Sequence, residues 1–441
     1  MQTAGPAQAT RSDSTVVVLA VFAVCTTLFW LVGRNGPSPD LYATWLAAEF
    51  FAKGELGAVY PSDTDVFRML PPEAWVTLEM SRGYVGELYP YIYPPLWAAG
   101  ASALHGRIGF EQILPVATLI NSALLSGMMI LAWRAAGRPI ALLLWAVIAM
   151  IGILGTFVGY VAIQQNQPQI LVSFLIILAI ERHRAGRSGW AGAALALAAA
   201  IKVYPALFAI FYLATRDWAA LRGFAVAGAA LAGLSVLVAG WPLHMLFLEQ
   251  LAAISGTIFV TPITLTLWAV AGQIMDPAGF EFVTSARITE DPAAEIGGWH
   301  VMAKGPLLSA VSTVGMLALL ALAAALYRKA DSALRAVCIW PLALGALALI
   351  SPLSWPYHYL PLFAFLPALL SLLGRRAGAL CLLVAILPIL LPVMPAYVDL
   401  GFAARPVGLV GTLSIIFITA CFTAGLVGRA PGLQTQRPAD A

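Results

Sequence analysis

The most prominent pattern in this sequence is a series of long apolar segments, separated by short polar ones, that repeats along almost the whole chain. A helix that crosses the hydrocarbon core of a bilayer needs about 20 predominantly apolar residues. The short pair at 188–201 and 203–215 is interpreted as a helical hairpin dipping to Lys202 or as one long kinked helix. The fold class predicted is an all-α polytopic integral membrane protein. Its spans, about twelve in number, lie near 15–33, 111–133, 139–160, 166–181, 188–201, 203–215, 221–240, 305–327, 334–350, 358–373, 377–395 and 406–427.

Two long segments, about 34–110 and 241–304, interrupt this series and are predicted to be outer loops. The first begins with apolar residues at helical spacing over 41–53, which predicts an amphipathic helix at the membrane surface. Residues 94–107 are expected to lie on or dip into the outer leaflet without crossing it. In the second loop, 261–274 predicts another re-entrant or surface helix.

Composition supports the membrane prediction and excludes several other classes. The chain is 61% hydrophobic and 10% charged, with a mean hydropathy of +0.87, whereas soluble domains carry about 25% charged residues. No sequence repeat or separate soluble domain is visible, so 1–441 is expected to form one membrane domain with disordered tails at 1–13 and 429–441. The small net charge of +3 comes from scattered loop arginines, which argues against a nucleic-acid partner. The four cysteines lie inside apolar runs, so neither a disulfide framework nor a metal site is predicted.

The distribution of charge predicts which side of the membrane each loop occupies. Basic residues concentrate in cytoplasmic loops, and with the N-terminus inside, most acidic residues fall on the opposite side together with both long loops. Both ends of the chain are then inside. The inner basic residues are Arg11, Arg134, Arg138, Arg182, Arg184, Arg187, Arg216, Arg222, Arg328, Lys329, Arg335, Arg375, Arg376 and Arg429.

Four groups of polar residues do not fit an apolar bundle. They are Asp40 after the first span, the Gln-Gln-Asn-Gln-Pro-Gln run at 164–169, Lys202, and the segment 351–359 that contains His358. A lysine at the centre of an apolar helix costs about 2.5–3.5 kcal/mol on insertion scales. All four groups fall on the outer side in a topology derived from the basic loops alone, so they are predicted to converge there.

Each group also has a purely structural interpretation, which the residues alone leave open. Asp40 is suited to capping the 41–53 helix. Lys202 is suited to snorkelling toward the interface. His358 stands among tyrosines of the kind found in interfacial belts, and the 164–169 run is also typical of a tight polar loop.

The same landmarks resemble the family 87 glycosyltransferases, polytopic enzymes of the GT-C superfamily that include actinobacterial α-mannosyltransferases. The resemblance runs in order over most of the chain. Asn166 and Gln169 replace a glycine and an asparagine usual in the family, and Tyr357 replaces the first histidine of a pair. The landmarks are Pro39-Asp40-Leu41-Tyr42, Gly54, Val59-Tyr60-Pro61, Tyr91-Ile92-Tyr93-Pro94-Pro95-Leu96 (Y-x-Y-P-P-L), Asn166-Gln167-Pro168-Gln169 (G-Q-x-N), Lys202-Val203-Tyr204-Pro205-Ala206 (K-x-Y-P-A) and Ser351-Pro352-Leu353-Ser354-Trp355-Pro356-Tyr357-His358 (S-P-x-S-W-x-H-H).

The resemblance implies a polyprenyl-phosphate sugar as donor, mannose foremost with arabinose or glucose as other options, and a hydroxyl of a lipid-linked glycan or glycolipid as acceptor. Lys202, His358 and Tyr204 are then assigned to the donor phosphate, where negative charge develops. Asp40 is assigned as the base that takes the acceptor proton, which predicts inversion by single displacement. Neither a cofactor nor a metal is required. The remaining predicted substrate-binding residues are Tyr93, Gln165, Asn166, Gln167, Gln169, Trp355 and Tyr357.

The predicted location is the cytoplasmic (inner) membrane among its lipids, with the active site facing the periplasm or cell exterior. A transporter or lipid flippase is the main alternative, because transporters place ionisable residues on broken helices near the midplane. The absence of an internal repeat and the one-sided polar clusters argue against it. A structural subunit of an envelope-assembly complex is a third interpretation, in which Asp40 is only a cap.

Overall fold

The computed structural model describes residues 14–61, 66–291, 296–395 and 406–429. The predicted disordered tails lie outside the described residues, apart from Arg429. Helices dominate the described part, and they are numbered here in chain order. They are α1 Thr15–Gly33, α2 Pro39–Ala52, α3 Glu73–Ser81, α4 Pro95–Ser102, α5 Phe110–Ala135, α6 Leu142–Leu154, α7 Phe157–Gln164, α8 Gln169–Arg184, α9 Ser188–Ile201, α10 Ala209–Ala214, α11 Trp218–Ala239, α12 Trp241–Ser255, α13 Leu267–Met275, α14 Pro306–Lys329, α15 Ser332–Ile350, α16 Leu360–Ala364, α17 Leu369–Leu372, α18 Arg375–Ile386 and α19 Pro406–Arg429.

The all-α polytopic prediction is confirmed, and the shape of several spans differs from the expectation. Within the described residues, six helices are long and apolar enough to cross a membrane, namely α1, α5, α11, α14, α15 and α19. The predicted span 139–160 is divided at Gly155–Thr156 into α6 and α7, and Thr156 caps α7 with its hydroxyl. The predicted span 358–373 is divided into α16 and α17, with 3₁₀ turns at Pro356–Tyr359 and Leu366–Ala368. Each of these turns contains a proline, which lacks the N–H that a continuous helix needs.

The pair of short apolar segments around Lys202 is neither a simple hairpin nor one kinked helix. α9 ends at Ile201, and Lys202 adopts an extended conformation with φ −138° and ψ 130°. A 3₁₀ turn at Tyr204–Phe208 follows before α10 begins. Pro205 cannot donate a helical hydrogen bond, so the chain leaves the helix where the lysine stands.

The two outer loops contain more regular structure than the sequence predicted. α2 forms over the predicted surface helix, α4 over part of 94–107, and α13 over the second half of 261–274. α12 and the five short strands of the described loop residues were not predicted. The strands are β1 Gly86–Glu87, β2 Thr257–Val260, β3 Glu281–Thr284, β4 Arg287–Ile288 and β5 Gly298–Ala303.

These strands join the two loops into one layer over the helices. In the three-stranded antiparallel sheet, β5 lies between β2 and β3, with Phe259 opposite Val301 and Val283 opposite Trp299. β1 of the first loop pairs with β4 of the second, with Glu87 opposite Arg287. The second loop is thereby held against the first, next to the end of α2 that carries Asp40.

The basic loops gather at the opposite end of the helices. Arg134 pairs with Glu181 at 3.1 Å, which joins α5 to α8. His183 Nε2 lies 3.0 Å from an oxygen of Asp217, and Arg335 donates to the carbonyl of Tyr327 at 2.8 Å. The inner loops of the predicted topology therefore share one face of the molecule.

Candidate active site

Asp40 lies in the first turn of α2, and its carboxylate is held by a neighbouring amide. Gln167 Nε2 donates to Asp40 Oδ2 at 2.6 Å, and Gln167 Oε1 accepts from the Tyr93 hydroxyl at 2.6 Å. All three side chains are buried. A hydrogen bond on one carboxylate oxygen fixes the group while leaving the other oxygen, Oδ1, for a further partner.

Two residues in left-handed conformations fix the position of Gln167, one in the α7–α8 corner and one just before α2. Ser38 and Asn166 have φ values of 54° and 46°, a region that asparagine tolerates better than most side chains. Asn166 Nδ2 donates to the hydroxyls of Ser38 and Thr118, each at 2.8 Å, and its Oδ1 accepts from Asn121. These bonds tie the α7–α8 corner to the start of α2 and to α5.

Lys202 lies between two aromatic rings, close to Asp40. Its Nζ is 5.3 Å from the ring centre of Tyr93 and 5.0 Å from that of Tyr357. Such faces attract a cation without neutralising it. Asp40 is near enough to interact electrostatically with the lysine, so the site contains one basic and one acidic group in a buried setting.

His358 points one ring nitrogen at Lys202. Its Nδ1 accepts from the backbone N–H of Trp355 at 2.9 Å, and its Nε2 lies 3.5 Å from Lys202 Nζ. Because Nδ1 is an acceptor, the neutral ring carries its proton on Nε2. Two hydrogen-bond donors therefore converge on the same space, and an anion between them would satisfy both.

Burial dominates the acid–base properties of Asp40. It raises the pKa of the carboxyl to about 7, although the charge of Lys202 and the hydrogen bond from Gln167 act in the opposite direction. A carboxyl that titrates near neutrality in a cleft fits general base chemistry, because proton transfer is most efficient when the pKa lies near the operating pH.

Tyr204 and Gln169 contact each other on the α9 side of the site, next to His358. Gln169 Nε2 donates to the Tyr204 hydroxyl at 2.7 Å, and the Tyr204 ring stands nearly perpendicular to that of His358, with centroids 6.0 Å apart. Gln169 is fully buried beside Ser173. These residues hold His358 and the turn after Lys202 in place.

Two adjoining cavities lie on the outer-loop side of the site, and Asp40 lines the inner one. The inner cavity has a volume of about 330 Å³ and is lined by Asp40, Trp355 and Tyr357 together with residues of both outer loops. The outer cavity has a volume of about 660 Å³ and is lined by Tyr42 and Tyr84, whose rings stack with centroids 5.0 Å apart. Both volumes suit a small-molecule site. The two cavities share four lining residues, Glu87, Tyr89, Gln165 and Ile263.

A third, smaller groove of about 110 Å³ lies on the other side of His358. His358 and Tyr204 line it together with apolar side chains of the 3₁₀ turn at Tyr204–Phe208, α14 and α15. Neither Asp40 nor any other residue of the inner cavity contributes to its lining. An apolar groove therefore ends against the same histidine that faces Lys202.

The helix that carries Asp40 is anchored by an ionic cluster in the first outer loop. Arg82 of the α3 C-terminus donates to Glu49 at 2.6 Å and to Glu79 at 2.8 Å, and Lys53 pairs with Glu49 at 2.8 Å. The Tyr42 hydroxyl donates to the second oxygen of Glu79 at 2.5 Å. Burial alone raises the pKa of Glu49, but the hydrogen bonds from Arg82 and Lys53 outweigh it and lower the value to about 2.

The structure brings most of the residues predicted from the sequence into one site. Some of them border the inner cavity and others border the apolar groove. Asp40, Gln165, Trp355 and Tyr357 line the inner cavity, and Tyr204 and His358 line the apolar groove. Lys202 lines neither and lies beside His358. The polar atoms of Asn166 bond to protein groups, and Tyr93 and Gln167 bond to each other. Sequence reasoning did not single out Glu87, Tyr89 or Ser285, because isolated polar residues in a loop carry no periodic signal.

Within the described ranges, no group of three or more His, Cys, Asp or Glu side chains has the arrangement needed to hold a metal ion.

The chain has a distant likeness among solved structures and none among curated proteins. No curated protein matches the chain. Among solved structures, a crystal structure of ArnT from Cupriavidus metallidurans bound to undecaprenyl phosphate is 16% identical, with a TM-score of 0.35 over 95% of this chain and 79% of that chain.

A family model gives the more specific result. The model described as Glycosyltransferase family 87 matches residues 91–352, which is more than half of the 441-residue chain. The matched region includes Tyr93, the 164–169 corner and Lys202, while Asp40 and His358 lie outside it. The match confirms the family predicted from the ordered motifs: this chain belongs to glycosyltransferase family 87.

Proposed function

We propose that this membrane glycosyltransferase is an inverting enzyme that takes a sugar, with mannose foremost, from a polyprenyl phosphate. The acceptor is a hydroxyl of a lipid-linked glycan or glycolipid at the outer face of the cytoplasmic membrane. One observation carries the proposal. Two convergent donors, Lys202 Nζ and His358 Nε2, lie 3.5 Å apart between an apolar groove and a buried carboxylate. The support for mannose is the family alone.

The donor phosphate is proposed to bind at Lys202 and His358. Both groups present N–H donors, and charge-assisted bonds to phosphate are among the strongest hydrogen bonds in proteins. The apolar groove beside His358 supplies a place for the first isoprene units of the lipid. In the proposed arrangement the phosphate–sugar bond lies next to Asp40, at the point where the polar site meets the helices.

The reaction develops negative charge where the two donors lie. The bond between the anomeric carbon and the phosphate oxygen breaks, and its electron pair stays on the phosphate, which becomes a monoester. Preorganised donors stabilise such developing charge, and the loss of one typically costs about 10²–10³ in kcat. Lys202 and His358 serve this role without having to supply a proton.

Asp40 acts on the acceptor. The acceptor oxygen attacks the anomeric carbon from the face away from the phosphate, and its proton passes to Asp40 Oδ1. Gln167 holds Oδ2 at 2.6 Å and so keeps Oδ1 directed to the acceptor. A single displacement of this kind inverts the anomeric configuration, in contrast to the covalent intermediate of a two-carboxylate retaining mechanism.

The distribution of charge supports a location of the site on the outer side of the membrane. The basic loops lie together at one end of the helices, and basic loops face the cytoplasm. Asp40, the α7–α8 corner and the two outer loops lie at the other end. The site is therefore proposed to open to the periplasm or cell exterior, where lipid-borne donors replace nucleotide sugars.

The test is a transfer assay with purified protein, membrane lipid extract as acceptor source, and radiolabelled donors. We expect label to enter the glycolipid fraction from polyprenyl-phosphate mannose and none from GDP-mannose, with wild type and a Lys202→Met variant compared. Transfer from the nucleotide sugar, or equal transfer by Lys202→Met, would contradict the proposed donor. Movement of the donor lipid across a vesicle membrane without any transferred sugar would indicate a transporter.

A further inference from the structure

Three residues of the inner cavity carry buried polar atoms without a protein partner. They are Ser285 Oγ, Trp355 Nε1 and Gln165 Oε1, and none of them has a hydrogen bond to another described residue. Ser285 and Trp355 are each 8% exposed. Buried polar atoms are almost always paired in native proteins, so three unpaired atoms around one cavity indicate that a ligand completes the hydrogen bonds.

The charges around the inner cavity are all of one sign. Its lining includes the carboxyl groups of Asp40 and Glu87 and no lysine, arginine or histidine among the residues described. The Tyr89 hydroxyl donates to Glu87, which holds that second carboxylate at the cavity wall. Lys202 interacts with Asp40 but does not line this cavity. An anionic ligand would therefore meet two carboxylates and no cation of the lining, and like charges brought together in a buried site repel strongly.

The cavity is placed for the acceptor and not for the donor phosphate. Lys202 and His358 are not among its lining residues, whereas it continues through Glu87, Tyr89, Gln165 and Ile263 into the outer cavity. A chain of sugars entering through the outer cavity therefore reaches Asp40 with its last residue in the inner cavity. The stacked pair of Tyr42 and Tyr84 lines this entrance.

We infer that the inner cavity binds the terminal sugar of the acceptor, that this sugar is uncharged, and that Ser285, Trp355 and Gln165 bind its hydroxyl groups. Naming this sugar as the acceptor rests on the proposed function, whereas the binding of an uncharged sugar in the cavity does not. The indole N–H donates to one hydroxyl oxygen, the Gln165 carbonyl accepts from another hydroxyl, and the Ser285 hydroxyl can do either.

The role of Ser285 brings the second outer loop into substrate selection. Ser285 lies between β3 of the three-stranded sheet and β4, which pairs with β1 of the first loop. Its backbone N–H donates to the carbonyl of Gly297 at 2.9 Å. The sheet layer thus fixes one wall of the sugar site, while α2 carries the base. Selection among acceptors and chemistry at Asp40 are then supplied by separate loops.

The test measures sugar binding and sugar transfer separately. The full-length protein is placed in lipid nanodiscs, because glycoside detergents would compete for the site. Octyl glucoside and octyl glucuronide differ only in the oxidation of one carbon, and their binding is followed by saturation-transfer NMR and by competition with the natural acceptor. We expect the neutral probe to bind at least about tenfold more tightly than the anionic one.

Ser285→Ala is compared with Ser255→Ala, an exposed serine of the same loop that lines neither cavity. We expect Ser285→Ala to raise the acceptor KM and the probe Kd by about tenfold with kcat and donor KM nearly unchanged, and Ser255→Ala to match wild type. Equal binding of both probes, or a Ser285→Ala variant that matches Ser255→Ala, would overturn the inference even if transfer is normal. If the wild-type protein binds the neutral probe selectively but transfers no sugar, the proposed function is refuted and the sugar site is not.

Discussion

At the residue scale, the site combines groups whose properties come from their neighbours more than from their own chemistry. An aspartate in water is a weak base, but burial raises the pKa of Asp40 to about 7. A histidine whose Nδ1 accepts from the chain must carry its proton on Nε2, toward Lys202. The same three side chains in other surroundings would form an ordinary ion pair beside a neutral ring.

The first prediction concerns pH. The general base must be deprotonated, so kcat/KM should fall as the pH drops through about 7, the value set by the burial of Asp40. The measurement is a pH profile of transfer between pH 5 and 9, with thermal melting at each pH as the control for intact protein. A profile that stays flat down to pH 5 would show that no group with this pKa limits the reaction.

The second prediction concerns Gln167 as a positioning residue. Its hydrogen bond lowers the pKa of Asp40, so Gln167→Leu should move the acidic limb of the pH profile to higher pH and reduce kcat by about tenfold or more. Gln273→Leu, a similar change in α13 that lies outside the site, should leave both unchanged. A lower kcat with an unmoved acidic limb would mean that Gln167 is merely structural.

The sequence indicated Asp40, Lys202 and His358 because charged or titratable residues are rare near apolar helices, and the outer-side corners were expected to meet. It did not indicate that Gln167 would bond to Asp40, since hydrogen-bond partners depend on distances that no motif states. Ser285 and Glu87 were missed for a related reason. They reach the site through strand pairing between loops, a long-range contact without a local signal.

At the element scale, the site depends on where helices stop. α9 ends at Lys202, α7 and α8 meet at the left-handed Asn166, and a 3₁₀ turn holds His358. Prolines at 205 and 356 made such breaks predictable in principle, because each lacks a backbone donor. The sheets and α12 were not predictable in the same way, since their short segments are stabilised by packing between the two outer loops.

The third prediction concerns the cluster that anchors α2. Replacing Arg82 by methionine leaves Glu49 and Glu79, which are 2% and 1% exposed, without their shared partner. We expect a loss of about 2 kcal/mol in stability, less than for a fully buried pair because the Arg82 side chain is 43% exposed. Thermal melting in detergent should show this, and Arg376→Met, on an exposed turn of α18, is the control. Equal melting of the two variants would contradict the anchoring role.

At the scale of the whole molecule, the fold separates its two ends by charge. The basic loops contact one another at one end, and the two long loops cover the site at the other. The topology was derived from arginines, whereas the site was predicted from polar outliers. Because the two patterns are independent, their agreement supports the proposal that the site opens outside the cell.

The fourth prediction tests that orientation. A cysteine introduced at Ser81, exposed in the first outer loop, should react with a membrane-impermeant maleimide on intact cells. One introduced at Ala185, exposed between α8 and α9, should react only after permeabilisation. The wild-type protein, whose native thiols are buried or partly buried, gives the background labelling. Labelling in the reverse order would place the site on the cytoplasmic side.

The central claim is that Asp40 removes the acceptor proton during transfer from a lipid phosphate, and Asp40→Asn tests it most directly. The change keeps the shape of the side chain and removes its basicity. Single-turnover transfer from radiolabelled polyprenyl-phosphate mannose should fall by about 10²-fold or more, with donor binding and melting temperature near those of wild type. Transfer by Asp40→Asn at the wild-type rate would contradict the account.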